Sequence, residues 1–152
     1  MKRRTFIKKN AIVTLAPFIT TGLLARNKKI KSLSEKPFQL NYAPHFGMFE
    51  SMAGKDLMDQ IQFMHDQGFR SLEDNGMKNR SKKTQNDIAK KMEKLGMSMG
   101  VFVGHKIYWK EPNLTSGDKS LQDEFVENIR DSVEVAKRVN ATWMTIVPGH
   151  ID

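Results

Sequence analysis

At 152 residues and 39% hydrophobic content the chain suits one ordinary domain with a core, and its Gly and Pro are too few to suggest disorder. The net charge of +8 points to nucleic acid only until it is mapped: residues 1–36 hold ten Lys/Arg and one acid, Glu35, for +9, while residues 37–152 hold fifteen Lys/Arg and sixteen acids, for −1. A neutral body without a basic, aromatic-interleaved stripe argues against nucleic-acid binding, and the absence of Cys excludes disulfides, thiolate zinc sites and a Cys nucleophile.

The first segment, residues 1–36, reads as an address. "MKRRTFIKK" is a charged start, Asn10 to Ala25 is an apolar run, and "RNKKIKS" returns to charge. The run falls short of the roughly 20 residues of a transmembrane helix but suits a signal peptide. Arg3, Arg4 and Phe6, followed by Ile7 and Lys8, resemble the twin-arginine export motif. The expected partner is the twin-arginine export machinery, and the expected location is periplasmic or otherwise exported. Leu23-Leu24-Ala25 is a poor cleavage site because Leu23 is large, so an uncleaved segment would tether the protein to the membrane.

The body, residues 37–152, alternates extended apolar runs with helical periods. Phe38 to Tyr42 alternates as a strand. Lys55 to Gln67 sets Leu57, Ile61 and Met64 on one helical face, and Gly68 ends that helix. Arg70 to Glu73 reads as a second strand. Thr84 to Asp87 has a capping-box pattern opening a helix with Ile88, Met92 and Leu95 inward, stopped by Gly96. Ser98 to Val103 reads as a third strand buried on both faces. Gly104 to Lys119 is an elaborated loop. Ser120 to Asp123 suggests another capping box, opening the longest helix, with Phe125, Ile129, Val133 and Ala136 inward and Asn140 as its stop. Thr142 to Val147 reads as a fourth, buried strand. The ten Met fall mostly at apolar positions and read as core filler.

Strands joined by helices run parallel, so the expected fold class is α/β. Two architectures fit: the N-terminal half of a (βα)8 TIM barrel, with four parallel βα units, or a small doubly wound α/β domain. A full barrel takes about 250 residues, and the spacing here matches half of one. The doubly wound alternative lacks a G-x-G-x-x-G after its first strand, and no P-loop occurs. Self-association through the open edges of such a half barrel is a further expectation.

Function in parallel α/β folds sits beyond the C-terminal ends of the strands. His45 follows the first strand, Glu73, Asp74 and Asn75 end the second, His105 follows the third, and His150 follows the fourth. His65 lies mid-helix and reads as a surface or packing residue. The candidate substrate-binding residues are therefore His45, Glu73, Asn75, His105, Trp109 and His150, with Phe46, Tyr108 and Trp109 as aromatic walls. A zinc site from His45, His105, His150 and Asp152 is an alternative of suitable chemistry, though no pair of ligands shares one element.

"FQLNYAPHFGMFE", "GFRSLEDNGM", "MEKLGMSMGVFV" and "AKRVNATWMTIVPG" are similar to the N-terminal half of hydroxypyruvate isomerase-like proteins, of the xylose isomerase-like TIM-barrel superfamily. The resemblance covers about Phe38 to Gly149. It implies a small sugar or keto-acid substrate and an aldose–ketose proton transfer assisted by a divalent metal. The family's metal ligands and catalytic acids come from later strands, so no residue here matches a metal ligand or catalytic acid. The chain is expected to be a fragment that is inactive alone and binds no metal tightly. A non-catalytic exported carbohydrate-binding or scaffold domain is the competing expectation.

Overall fold

The structure is a computed structural model that describes residues 36–112 and 114–150. The export motif of Arg3, Arg4 and Phe6, with the rest of residues 1–35, lies outside the described residues, as does Asp152. No helix among the described residues is long and apolar enough to cross a membrane.

Helices form where the 3.6-residue period places them, but their caps move the boundaries. A short α1 (Glu50–Ala53), which the periodicity does not announce, precedes α2 (Leu57–Asp66). α2 begins after Lys55 because Asp56 caps it, its carboxylate accepting from the N–H of Met58 at 2.8 Å and of Asp59 at 3.1 Å. α3 (Lys82–Leu95) is capped by Ser81, not Thr84: the Ser81 Oγ accepts from the Thr84 N–H at 3.0 Å. The Thr84 hydroxyl, 2.8 Å from that same oxygen, already lies within the first turn. α4 (Lys119–Val139) likewise starts ahead of the Ser120 pattern, at Asp118, which accepts from the Ser120 N–H at 2.8 Å.

The buried stripe of α4 also differs from expectation. Ser132, Val135 and Val139 are buried, Phe125, Ile129 and Ala136 are half-buried, and Val133 is exposed. Val133 lies one residue off the row running through 129, 132, 136 and 139, so it turns away from the core. Asn140 ends α4 in the left-handed region, at φ 53°, the stop expected where an apolar helix leaves its last carbonyls unpaired.

The helices pack on a small parallel sheet, giving an α/β arrangement. β1 (Ser71–Leu72) pairs in parallel with β2 (Ser98–Met99), Ser71 opposite Ser98 and Leu72 opposite Met99. Two isolated parallel bridges flank this pair, His45 with Glu73 and Val103 with Thr145. Two paired strands and two bridges thus stand where four strands were expected. Three local causes are visible. The first segment bends at Leu40, whose carbonyl accepts from the Tyr42 N–H at 3.0 Å, a turn that no ladder strand makes. After β2 the ladder gains a residue: the Gly100 N–H reaches the Leu72 carbonyl at 2.7 Å, but the Asp74 N–H reaches Val101 at 3.2 Å, where a regular ladder would use Gly100. That bulge lets Met99 and Phe102, an odd number of residues apart, both turn into the core. Among the described residues the fourth segment has a parallel neighbour on one side only, at Val103, and Trp143, expected to be buried, is 72% exposed and Ile146 is exposed too. Ser98 is also exposed, so the third segment is not buried on both faces.

The core lies between the sheet and α2, α3 and α4. Ile61, Leu72, Ile88 and Phe102 are fully buried, with Val135 and Val139 closing it from α4. Each such side chain contributes about 1.5–3 kcal/mol relative to exposure. Methionines 64, 77, 92, 97 and 99 fill the gaps between these branched and aromatic groups, as their flexible, unbranched shape allows.

Candidate functional site

The parallel segments all run the same way, so the turns after them lie toward one end of the sheet. The turn after β1 is built around Asp74, which is 5% exposed. Its carboxylate accepts from Arg80 Nε at 2.5 Å and Nη2 at 3.3 Å, and from the Gly76 N–H at 3.1 Å. Arg80 lies over the Phe46 ring, 5.1 Å from its centroid. A buried carboxylate needs such a set of donors, so Asp74 shapes the turn that carries Asn75, Lys78 and Asn79. Glu73 is half-buried; its N–H donates to the Pro44 carbonyl at 3.1 Å, which sets it beside exposed His45. On the other side, Gly100 lets the backbone approach β1 closely: a Cβ there would lie 3.2 Å from the Leu72 carbonyl, a tight contact, and 3.6 Å from the Glu73 Cβ, an ordinary one.

His105 is buried at 5% exposure, and both ring nitrogens are engaged. Nε2 accepts from the Val147 N–H at 2.8 Å, which requires the proton on Nδ1, and Nδ1 donates to the Lys106 carbonyl at 2.8 Å. The ring packs on Phe125, with centroids 4.7 Å apart. His105 therefore joins the third segment to the fourth and to α4. His150 is half-buried, and its carbonyl accepts from Thr115 Oγ1 at 2.8 Å, tying the end of the described chain to the long loop. His65, in α2, lies 3.2 Å from the Asp66 carboxylate.

Asn75 and Trp109 are brought together. They line a groove of about 510 Å³ between the turn after β1, the loop after the third segment and α4, with Lys78, Asn79, Lys106 and Asn128 and a floor of Val103 and Ile107. Trp109 is 73% exposed over it. Lys78 is half-buried and donates to the Asn128 carbonyl at 2.9 Å and Ser132 Oγ at 3.2 Å; among the described residues it has no ion pair. Lys106 donates to the Tyr108 hydroxyl at 2.7 Å, and that hydroxyl donates to Glu124 at 2.9 Å. The Tyr108 bond, with the nearby Glu124 and Glu111 charges, holds the Lys106 amine above its ordinary value, so it stays cationic. The groove thus presents two cations, three side-chain amides and one aromatic face, with no acid in its lining.

The six candidate residues do not converge on one point. His45 and Glu73 are neighbours, Asn75 and Trp109 share the groove, His105 is engaged within the fold, and His150 lies against the Thr115 loop. Lys78, Asn79, Lys106 and Asn128 were missed. The two lysines follow strand ends in "NGMKN" and "GHKIY", but Lys is so common on surfaces that position alone does not mark it. Among the described residues no group of three or more His, Asp or Glu side chains is placed to hold a metal ion. The zinc alternative would also need His105, whose nitrogens are already bonded.

No protein-family model, curated protein or solved structure matches the chain.

Proposed function

We propose that this chain supplies the first four βα units of a (βα)8 barrel, as part of an exported sugar or keto-acid isomerase resembling hydroxypyruvate isomerase. The observation that carries this reading is the order of the parallel neighbours. Residues 44–45 lie beside Glu73, β1 beside β2, and Val103 beside Thr145, so the segments follow one another in chain order. A barrel wall adds strands in that order, whereas a doubly wound sheet starts in the middle and reverses.

On this reading the divalent metal and the acids that move the proton on carbon belong to the later strands. The chain contributes binding: His45 and Glu73 at one pair of segment ends, Asn75 and Trp109 at the groove, His150 beside the long loop, and His105 as the post that fixes the loop's start. Arg3, Arg4 and Phe6 would send the folded protein through the twin-arginine machinery to the periplasm. Sequencing the gene beyond the Asp152 codon tests the reading. A continuing frame with Glu, Asp, His or Gln, and Glu at successive strand ends is expected. An immediate stop would contradict it.

A second reading, an exported carbohydrate-binding domain without catalysis, is favoured by the groove itself. Amides and an exposed tryptophan are the means by which proteins grip sugars, and neither moves a proton.

A further inference from the structure

Lys78 presents an electrostatic problem that the fold leaves open. Its ammonium is half-buried and carries three N–H donors, yet the described residues bond it through two neutral oxygens, on Asn128 and Ser132; Asp131 and Glu134 share a neighbouring cleft with it but form no ion pair with it. A cation partly withdrawn from water without a counter-ion is destabilising, and an anion arriving beside it relieves that cost. The same groove carries the second cation, Lys106, held by the Tyr108 hydroxyl and ring, the latter 4.2 Å from Nζ at its centroid, and 4.0 Å from the Glu124 carboxylate, so it is a partly compensated charge beside the uncompensated Lys78. Asn75 and Asn79 add amides that donate and accept, the pairing that hydroxyl groups need. Trp109 stands over the groove with most of its ring in solvent, a large apolar face open to a ligand. The volume of about 510 Å³ lies within the range of small-molecule sites.

We propose that this groove binds a small polyol bearing one oxyanion group, a carboxylate or a phosphate monoester, with the oxyanion between Lys78 and Lys106, the hydroxyls on Asn75 and Asn79, and the carbon backbone against Trp109. The site needs no proton-transfer groups and would take the same ligand in an isomerase or in a binding module, so it stands or falls separately from the catalytic reading.

Calorimetric titration of the full chain with glycerol 3-phosphate, glycerate and glycerol tests it, with tryptophan fluorescence followed in parallel. Millimolar or tighter binding of at least one of the two anions is expected, with none for glycerol; the tighter anion tells phosphate ester from sugar acid. Lys78→Gln and Lys106→Gln should each weaken the bound anion about tenfold, the loss of one charge-assisted hydrogen bond. Trp109→Ala should remove the fluorescence change. Because Lys78 also bridges to α4, circular dichroism checks the fold of that variant, and Lys106→Gln, at an exposed side chain, decides the matter if Lys78→Gln unfolds. Failure of both anions to bind, equal binding of glycerol, or unchanged affinity in folded charge variants would overturn the assignment.

Discussion

His105 shows how a residue's position can be legible while its task is not. Its place after the third extended segment is plain in "VGHKIYW". Its partner, the Val147 N–H, lies 42 residues away, and no spacing rule finds a single long-range bond. His105→Ala should destabilise the fold by about 2–4 kcal/mol, since it removes two hydrogen bonds, leaves the part-buried Val147 N–H without this partner and opens a cavity beside Phe125. Urea unfolding measures this; a loss under about 0.5 kcal/mol, typical of surface sites, would contradict the buried geometry. Asp74 carries the same lesson. A D-N-G run is turn chemistry from sequence alone, and so it is, but the Arg80 that completes the turn is visible only once the chain has folded.

At the scale of elements, helix faces and stops were the readable part. Ile61 and Met64, then Ile88 and Met92, turn inward as the period requires, and Gly68, Gly96 and Asn140 all take positive φ. Caps were read late because Thr and Ser also occur inside first turns, as Thr84 and Ser120 do. Strands were the weak part: a run such as Ser98–Val103 is β-prone apart from Gly100, but the bulge after β2 depends on the neighbouring segment's register. The α4 cap makes a pH prediction. Asp118 is held below its ordinary 3.8, chiefly by the Ser120 hydroxyl and then by the Ser120 N–H. A carboxyl whose value is depressed on folding stabilises above its unfolded value and loses that contribution as pH falls through the folded one. The first turn of α4 should therefore fray below pH 3.8, and Asp118→Ala should blunt that dependence. Amide exchange of the first turn across an acid titration checks it; an identical profile in the variant would discount the cap.

For the whole molecule, the neutral body and the basic first segment were separable from charge alone, and the α/β class from the alternation of periods. The exposure of the outer segments was not, because the pattern of Trp143 to Val147 reports a preference for burial and not the presence of a neighbour. Leu40, Tyr42, Trp143 and Ile146 remain exposed on the first and fourth segments. Residues 37–152 should therefore self-associate in light scattering; a sharp monomer peak with cooperative melting would favour a self-sufficient small domain. Replacing Arg3 and Arg4 together with Lys should hold the protein in the cytoplasm, and an unchanged periplasmic yield would remove the twin-arginine assignment.

The proposed function is that this chain supplies binding, and not proton transfer, to an isomerase. Carbon-13 NMR of hydroxypyruvate with Mn²⁺ tests it most directly, comparing the 152-residue chain with the product of the complete reading frame. The expected result is an unchanged spectrum with the chain alone and conversion by the complete product. Conversion by the 152-residue chain alone, or none by the complete product, would contradict it.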